Sequence, residues 1–170
     1  MIKVIDNFAG INEQLIIKNL IQEDMNSVPP SYEYHFNYSS LVDQAQLSKS
    51  KLQINYPQFI KPIFLYINQP GGTSLATISN PTLFSLVYIL LCNSNLSNKN
   101  IQRIKINTIF PFPKNTEKNY GPIHIDNNKK ESISIIYYLH NTDGDTVFFD
   151  ENSNNPKIIK RVSPRQGRAV

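Results

Sequence analysis

Residues 132 to 149 read SISIIYYLHNTDGDTVFF, and the reading of the fold turns on them. Ser132 to Leu139 is rich in β-branched and aromatic residues with a partial period-two alternation, which predicts a strand. Asn141-Thr142-Asp143-Gly144 carries turn chemistry, because Asn and Asp side chains bond their own backbone and Gly tolerates left-handed dihedrals. Thr146 to Phe149 then resumes β character. Two short strands around a turn, with no helical period, point to closely spaced antiparallel structure.

The same character extends in both directions. Downstream, Ile158 to Val162 reads as extended, Ser163 to Gly167 as a turn, and Arg168-Ala169-Val170 as the start of another strand. Upstream, Ile104, Ile106, Thr108 and Phe110 alternate with Arg103, Lys105, Asn107 and Ile109, the pattern of a half-buried strand. A proline-containing loop, 111–120, separates that strand from Gly121-Pro122-Ile123-His124-Ile125-Asp126, and 127–131 turns the chain again. In an extended segment residues i and i+2 share a face, so His124 and Asp126 can reach one metal ion. On the residues alone, a surface-strand histidine and aspartate is the favoured reading of that spacing.

Helical signals lie earlier. Ile2 and Val4 suggest a short strand, and from Ile11 the residues Leu15, Ile16, Leu20, Ile21 and Met25 recur at three- to four-residue spacing, predicting an amphipathic helix that Pro29 and Pro30 end. Ser31 to Tyr38 is aromatic and reads as extended, with His35 among its packing residues. Leu41 to Lys51 gives no clear signal. The apolar pattern from Leu52 to Ile67 is broken by Pro57 and Pro62 and supports no assignment before the turn at Gln69-Pro70-Gly71-Gly72. Ser79-Asn80-Pro81 combines a capping side chain with Pro at the first helical position and predicts a buried apolar helix to about Cys92, followed by a polar loop, 93–100.

Composition bounds the class. At 170 residues the chain has the size of one ordinary domain with a real core. A net charge of +4 without a dense basic run gives no indication of a nucleic-acid groove. The single cysteine, Cys92, excludes an intrachain disulfide and a cysteine-based metal knuckle. The start of the sequence lacks signal-peptide character, and the apolar run at 83–92 is about half the length a bilayer requires. The expectation is a cytoplasmic protein without a membrane partner. The predicted fold is α+β, mainly β, in a single domain: a helical support region with early strands over 1–100, and a sheet sandwich or barrel over 101–170.

Four pieces, in order, carry a family resemblance: His124-Ile125-Asp126, Ile136-Tyr137-Tyr138-Leu139, Asp143-Gly144-Asp145-Thr146-Val147-Phe148, and Pro164-Arg165-Gln166-Gly167-Arg168-Ala169-Val170. Together they resemble the HxD motif, the strand after it, the Gly-rich turn with its T-x-F strand, and the P-x-x-G-x-A-V segment of the iron(II)- and 2-oxoglutarate-dependent dioxygenases. The nearest branch is the prolyl 4-hydroxylase-like one. The resemblance implies a double-stranded β-helix core of jelly-roll or cupin-like form. It implies iron(II) and 2-oxoglutarate as cofactors, with L-ascorbate as an accessory reductant, and hydroxylation of an unactivated carbon in a protein, peptide or small-molecule substrate. Carried over by position, His124 and Asp126 are the metal ligands. Tyr138 and Asn107 contact the cosubstrate, Thr146 points inward from its strand, and Tyr120 borders the substrate entrance.

The family's distal histidine and the basic residue that pairs with the cosubstrate follow the G-x-A-V strand, and the sequence stops at Val170. The resemblance therefore implies a core incomplete at its C-terminal end and a chain of weak or no activity. His140, about seven extended residues or roughly 23 Å from the turn beside Asp126, is not expected to complete the site. The alternative readings are a non-catalytic jelly-roll or cupin-like binding module, a zinc hydrolase using His124 and Asp126, and a purely structural or interaction protein in which the HxD match is accidental.

Overall fold

A computed structural model of the chain describes residues 1–26, 35–37, 58–68, 74–96, 100–109, 123, 131–150 and 156–170. These form a mixed α+β structure, mainly β, with two antiparallel sheets and two helices: α1 (Ile11–Asn26), β1 (His35–Asn37), β2 (Gln58–Asn68), β3 (Ser74–Ile78), α2 (Pro81–Asn93), β4 (Arg103–Ile109), β5 (Thr146–Phe149) and β6 (Ile158–Val162). The chain divides into two compact units. Residues 8–37 and 58–109 form one, whereas residues 1–7 belong with 110–170 in the other. The first residues group with the C-terminal segments, and β4 pairs with β2.

β2 organises the first unit. On one edge it takes β1 and β3 in succession, and along the other it takes β4, all antiparallel. Pro62 interrupts the sequence pattern here, and the structure absorbs it in a bulge: Pro62 opposes Lys105, Phe64 opposes Ile104, and Ile63 is the extra residue between them. The bulge turns both Ile63 and Phe64 into buried positions beside buried Lys61. The carbonyls of the irregular segment are bonded, since the Ser79 hydroxyl donates to the Pro62 oxygen at 2.6 Å and the Ser79 amide donates to the Ile63 oxygen at 3.0 Å.

That anchor sits one residue before the N-cap of α2. Asn80, with extended dihedrals, accepts from the Leu83 amide at 2.9 Å, and Pro81 opens α2, matching the capping signal in the sequence. The other end closes with bonds from the Leu96 amide to the Leu91 oxygen and from the Asn95 amide to the Cys92 oxygen. Asn95 supplies the left-handed residue of this Schellman arrangement at φ 59°. Phe84 packs on Phe64 with ring centroids 5.0 Å apart, which seats α2 on β2. Full burial of the helix is not observed: Leu83 and Leu90 are buried, but Tyr88 and Ile89 are about half exposed. An all-apolar sequence leaves the buried face undetermined, and packing selects one row.

α1 spans the predicted residues, yet its buried face differs from the predicted one. Gln14, Ile17 and Ile21 are buried, while Ile11, Leu15 and Ile16 are exposed. The Gln14 amide reaches back to the Ala9 carbonyl at 2.9 Å and fixes the rotation of the first turn, so the row through 14, 17 and 21 faces inward.

In the second unit β5 and β6 pair antiparallel, with Thr146 opposite Val162 and a register shift between Phe148 and Phe149. Asp150 closes the hairpin. Its amide donates to the Lys157 oxygen and its carboxylate accepts from the Lys157 amide. A second ladder centres on Ala169, which bridges Ile5 on one side and Tyr137 on the other, both antiparallel. The expected strand over Ile2 and Val4 is reduced to this contact at Ile5. The expected strand from Ser132 begins pairing only at Ile136, and Ile133 and Ile135 are exposed.

Candidate functional site

The site is built where the Ala169 ladder meets the β5–β6 hairpin. The Tyr138 amide donates to the Arg168 oxygen at 2.9 Å, and the Gly167 amide donates to the Tyr138 oxygen at 3.0 Å, so the backbone of Tyr138 is held on both sides. Gly167 makes this possible. It stands at φ 78°, third in a turn closed by the bond from the Arg168 amide to the Arg165 oxygen, a position where L side chains are strained. Asn141 adds a tie from the other segment, its side-chain oxygen accepting from the Gln166 amide at 2.8 Å.

From this support the Tyr138 side chain turns inward, and its hydroxyl donates to the Thr146 hydroxyl at 2.6 Å. Tyr138 is buried and Thr146 half-buried. Burial pushes the Tyr138 phenol above its ordinary range, an effect opposed by the Thr146 hydrogen bond and by the positive charge of Arg168. The phenol therefore keeps its proton at neutral pH and stays a donor. Burial also raises the Tyr137 phenol.

Arg168 is the second centre of the site, and the sequence reading passed over its side chain. Only 11% of that side chain is exposed. Its guanidinium grips the Asp6 carboxylate with two bonds, 2.6 Å from Nε and 3.2 Å from Nη2. Through Nη1 it also donates to the Ser163 carbonyl at 2.9 Å and the Ser163 hydroxyl at 3.1 Å. The hydrogen bond from Arg168 holds the Asp6 carboxyl below the usual carboxylate range, and the Asp6 hydrogen bond raises Arg168 in turn. No local pattern connects two residues 162 positions apart. The only sequence hint is that each sits beside a short β segment.

Two other residues that the sequence reading considered, Asn107 and His140, are also described. Asn107 lies exposed on β4, opposite Ile60, in the unit that does not contain Tyr138. His140 is exposed. His124, Asp126 and Tyr120 lie outside the described residues, as do the 111–120 loop and the 127–130 part of the turn after Asp126. Among the described residues, no three His, Cys, Asp or Glu side chains come together as a metal site. No helix among them is long and apolar enough to cross a membrane. No protein-family model, curated protein or solved structure matches the chain.

The chemistry open to this arrangement follows from its groups. Tyr138 and Thr146 offer two hydroxyls in a partly buried region that also feels a positive charge, a donor set suited to a carboxylate. Since Tyr138 donates to Thr146, the Thr146 proton is directed away from the phenol and can be donated onward.

Proposed function

We propose that this chain carries part of the active site of an iron(II)- and 2-oxoglutarate-dependent dioxygenase of the prolyl 4-hydroxylase-like branch, with a double-stranded β-helix core and a protein or peptide substrate. The observation that supports this reading is the hydroxyl pair. Tyr138 and Thr146 come from the two separate segments that resemble the family's post-motif strand and T-x-F strand, and they meet at 2.6 Å.

In this reading His124 and Asp126 would hold the metal, and on binding of 2-oxoglutarate the Tyr138 hydroxyl would turn its one proton from Thr146 to the distal carboxylate, Thr146 then donating to the phenol oxygen. The donor set fits a carboxylate because both hydroxyls are half-buried or buried and one already orders the other. Bound iron(II) and 2-oxoglutarate would supply the activation of dioxygen, one oxygen atom oxidising and decarboxylating 2-oxoglutarate to succinate and carbon dioxide and the other entering a carbon–hydrogen bond of the substrate. The work of the chain's own residues is to orient: the Gly167 turn fixes the backbone of Tyr138, and Thr146 fixes its hydroxyl.

Anaerobic titration with 2-oxoglutarate in the presence of iron(II), followed by calorimetry, tests the proposal. Binding is expected, and Tyr138→Phe should weaken it by about ten- to a hundredfold, the loss of one hydrogen bond to a charged group. Equal affinity in Tyr138→Phe, or no binding with or without metal while a glycan or peptide binds, would overturn the assignment in favour of a non-catalytic binding module.

A further inference from the structure

Two routes of contact converge on the Tyr138–Thr146 pair, and both pass through Arg168, one by its backbone and one by its side chain. Along the first, Arg168 lends its own backbone to Tyr138, accepting the Tyr138 amide at 2.9 Å. Along the second, its Nη1 holds both oxygens of Ser163, the residue that follows β6, and the neighbouring Val162 is the register partner of Thr146. One residue therefore references both the segment that carries the phenol, through its carbonyl, and the strand that carries the hydroxyl partner, through its guanidinium.

The orientation of that guanidinium is set from the beginning of the chain. Asp6 takes Nε and Nη2 in a two-pronged pair, the geometry that fixes the plane of an arginine rather than only its position. Beside it Ile5 and Ala169 exchange two backbone bonds, each 2.9 Å, which aligns the first residues along the edge of the 168–170 segment opposite Tyr137. All three guanidinium nitrogens of Arg168 are thus engaged: two face Asp6 and the third faces Ser163.

We propose that Asp6 is a positioning residue for the Tyr138–Thr146 hydroxyl pair, with residues 1–7 acting as a strap that locks Arg168 and, through it, both halves of the pair. The claim that the strap thereby tunes affinity for a carboxylate cosubstrate rests on the function proposed above. The claim that it sets the geometry of Tyr138 does not.

The experiment keeps the two apart. Full-length protein carrying 3-fluorotyrosine gives one ¹⁹F resonance per tyrosine, and Tyr138→Phe assigns the one of interest. In the absence of any ligand, Asp6→Asn is expected to shift or broaden the Tyr138 resonance, and Asp6→Glu to restore it in part. Asn80→Ala, in the other unit, serves as a control for general destabilisation and should leave it in place. If Asp6→Asn does not fold, Ser163→Ala removes one acceptor of Arg168 and should move the same resonance less far in the same direction. An unmoved Tyr138 signal in Asp6→Asn, or in Ser163→Ala where that variant stands in, overturns the strap. For 2-oxoglutarate, Asp6→Asn should raise Kd about tenfold, in line with the effect of residues that orient a binding group from behind. Wild-type protein that binds no 2-oxoglutarate refutes the cosubstrate reading while the fluorine signal still decides the strap. Wild-type binding with equal affinity in Asp6→Asn refutes the tuning of cosubstrate affinity, and the fluorine signal again decides the strap.

Discussion

β2 meets β4 through seven register pairs and β3 through five, whereas the longest ladder described in the unit of Tyr138 is the four-pair hairpin of β5 and β6. The first unit has a backbone lattice with Ile63, Phe64, Leu83 and Ile106 buried against it. The second has short ladders stitched by side chains: Asp6 to Arg168, Tyr138 to Thr146, and Asn141 to the Gln166 amide. Burial is non-directional and scales with area, but a polar tie works only at one distance and in one protonation state. The comparison teaches that structural robustness and positional control are concentrated in different parts of this molecule.

The largest effect should come from the lattice. Ile63→Ala removes a side chain that is 1% exposed at the bulge of β2 and should destabilise by about 2–5 kcal/mol, measured by denaturant unfolding, with amide protection lost in β2 and β4. Gly167→Ala should cost about 1–2 kcal/mol through its left-handed backbone and should weaken protection of the Tyr138 amide. A loss confined to the β2 sheet in that variant would break the distinction drawn between the units. Next in size, Asn80→Ala should remove about 1 kcal/mol by leaving the Leu83 amide uncapped, read as a lower thermal midpoint.

The smallest effect is local and depends on pH. The Asp6 carboxyl is depressed in the folded chain, so its contribution is fully present above the unfolded value of about 3.9 and is lost as pH falls through the lower folded value. Hydrogen exchange should show the Ile5 and Ala169 amides opening below about pH 4 while the β2–β4 ladder stays protected. Simultaneous opening of both would mean that the polar ties do not govern the second unit separately.

Much of the local structure was legible in the sequence, and the reasons are local. Asn80-Pro81 announced α2, the 146–149 and 158–162 runs announced β5 and β6, and the 103–109 alternation announced β4. β2 was not legible because Pro62 argues against a central strand, and the bulge that accommodates it depends on Ser79, 17 residues further on. The core face of α1 was misassigned because Gln14, a polar residue, occupies the inward row. For the candidate site, Tyr138 and Thr146 each read as strand residues. Their contact did not, since Thr146 pairs along its backbone with Val162 and meets Tyr138 only through side chains. The Asp6–Arg168 pair carries no sequence signature at all.

The separation of that pair also bears on how the chain comes together in time. The anchor of Pro62 to Ser79 closes a loop of 17 residues and forms as soon as β2, β3 and the first turn of α2 exist. Asp6 must wait for a partner 162 residues away, and the entropy of closing so long a loop is recovered only after the intervening structure has shortened it. During synthesis, residues 1–7 therefore emerge well before the segment they bind. The Asp6–Arg168 contact is expected to form late in folding, with the geometry around Tyr138 maturing with it, an order that a low φ-value for Asp6→Asn would show.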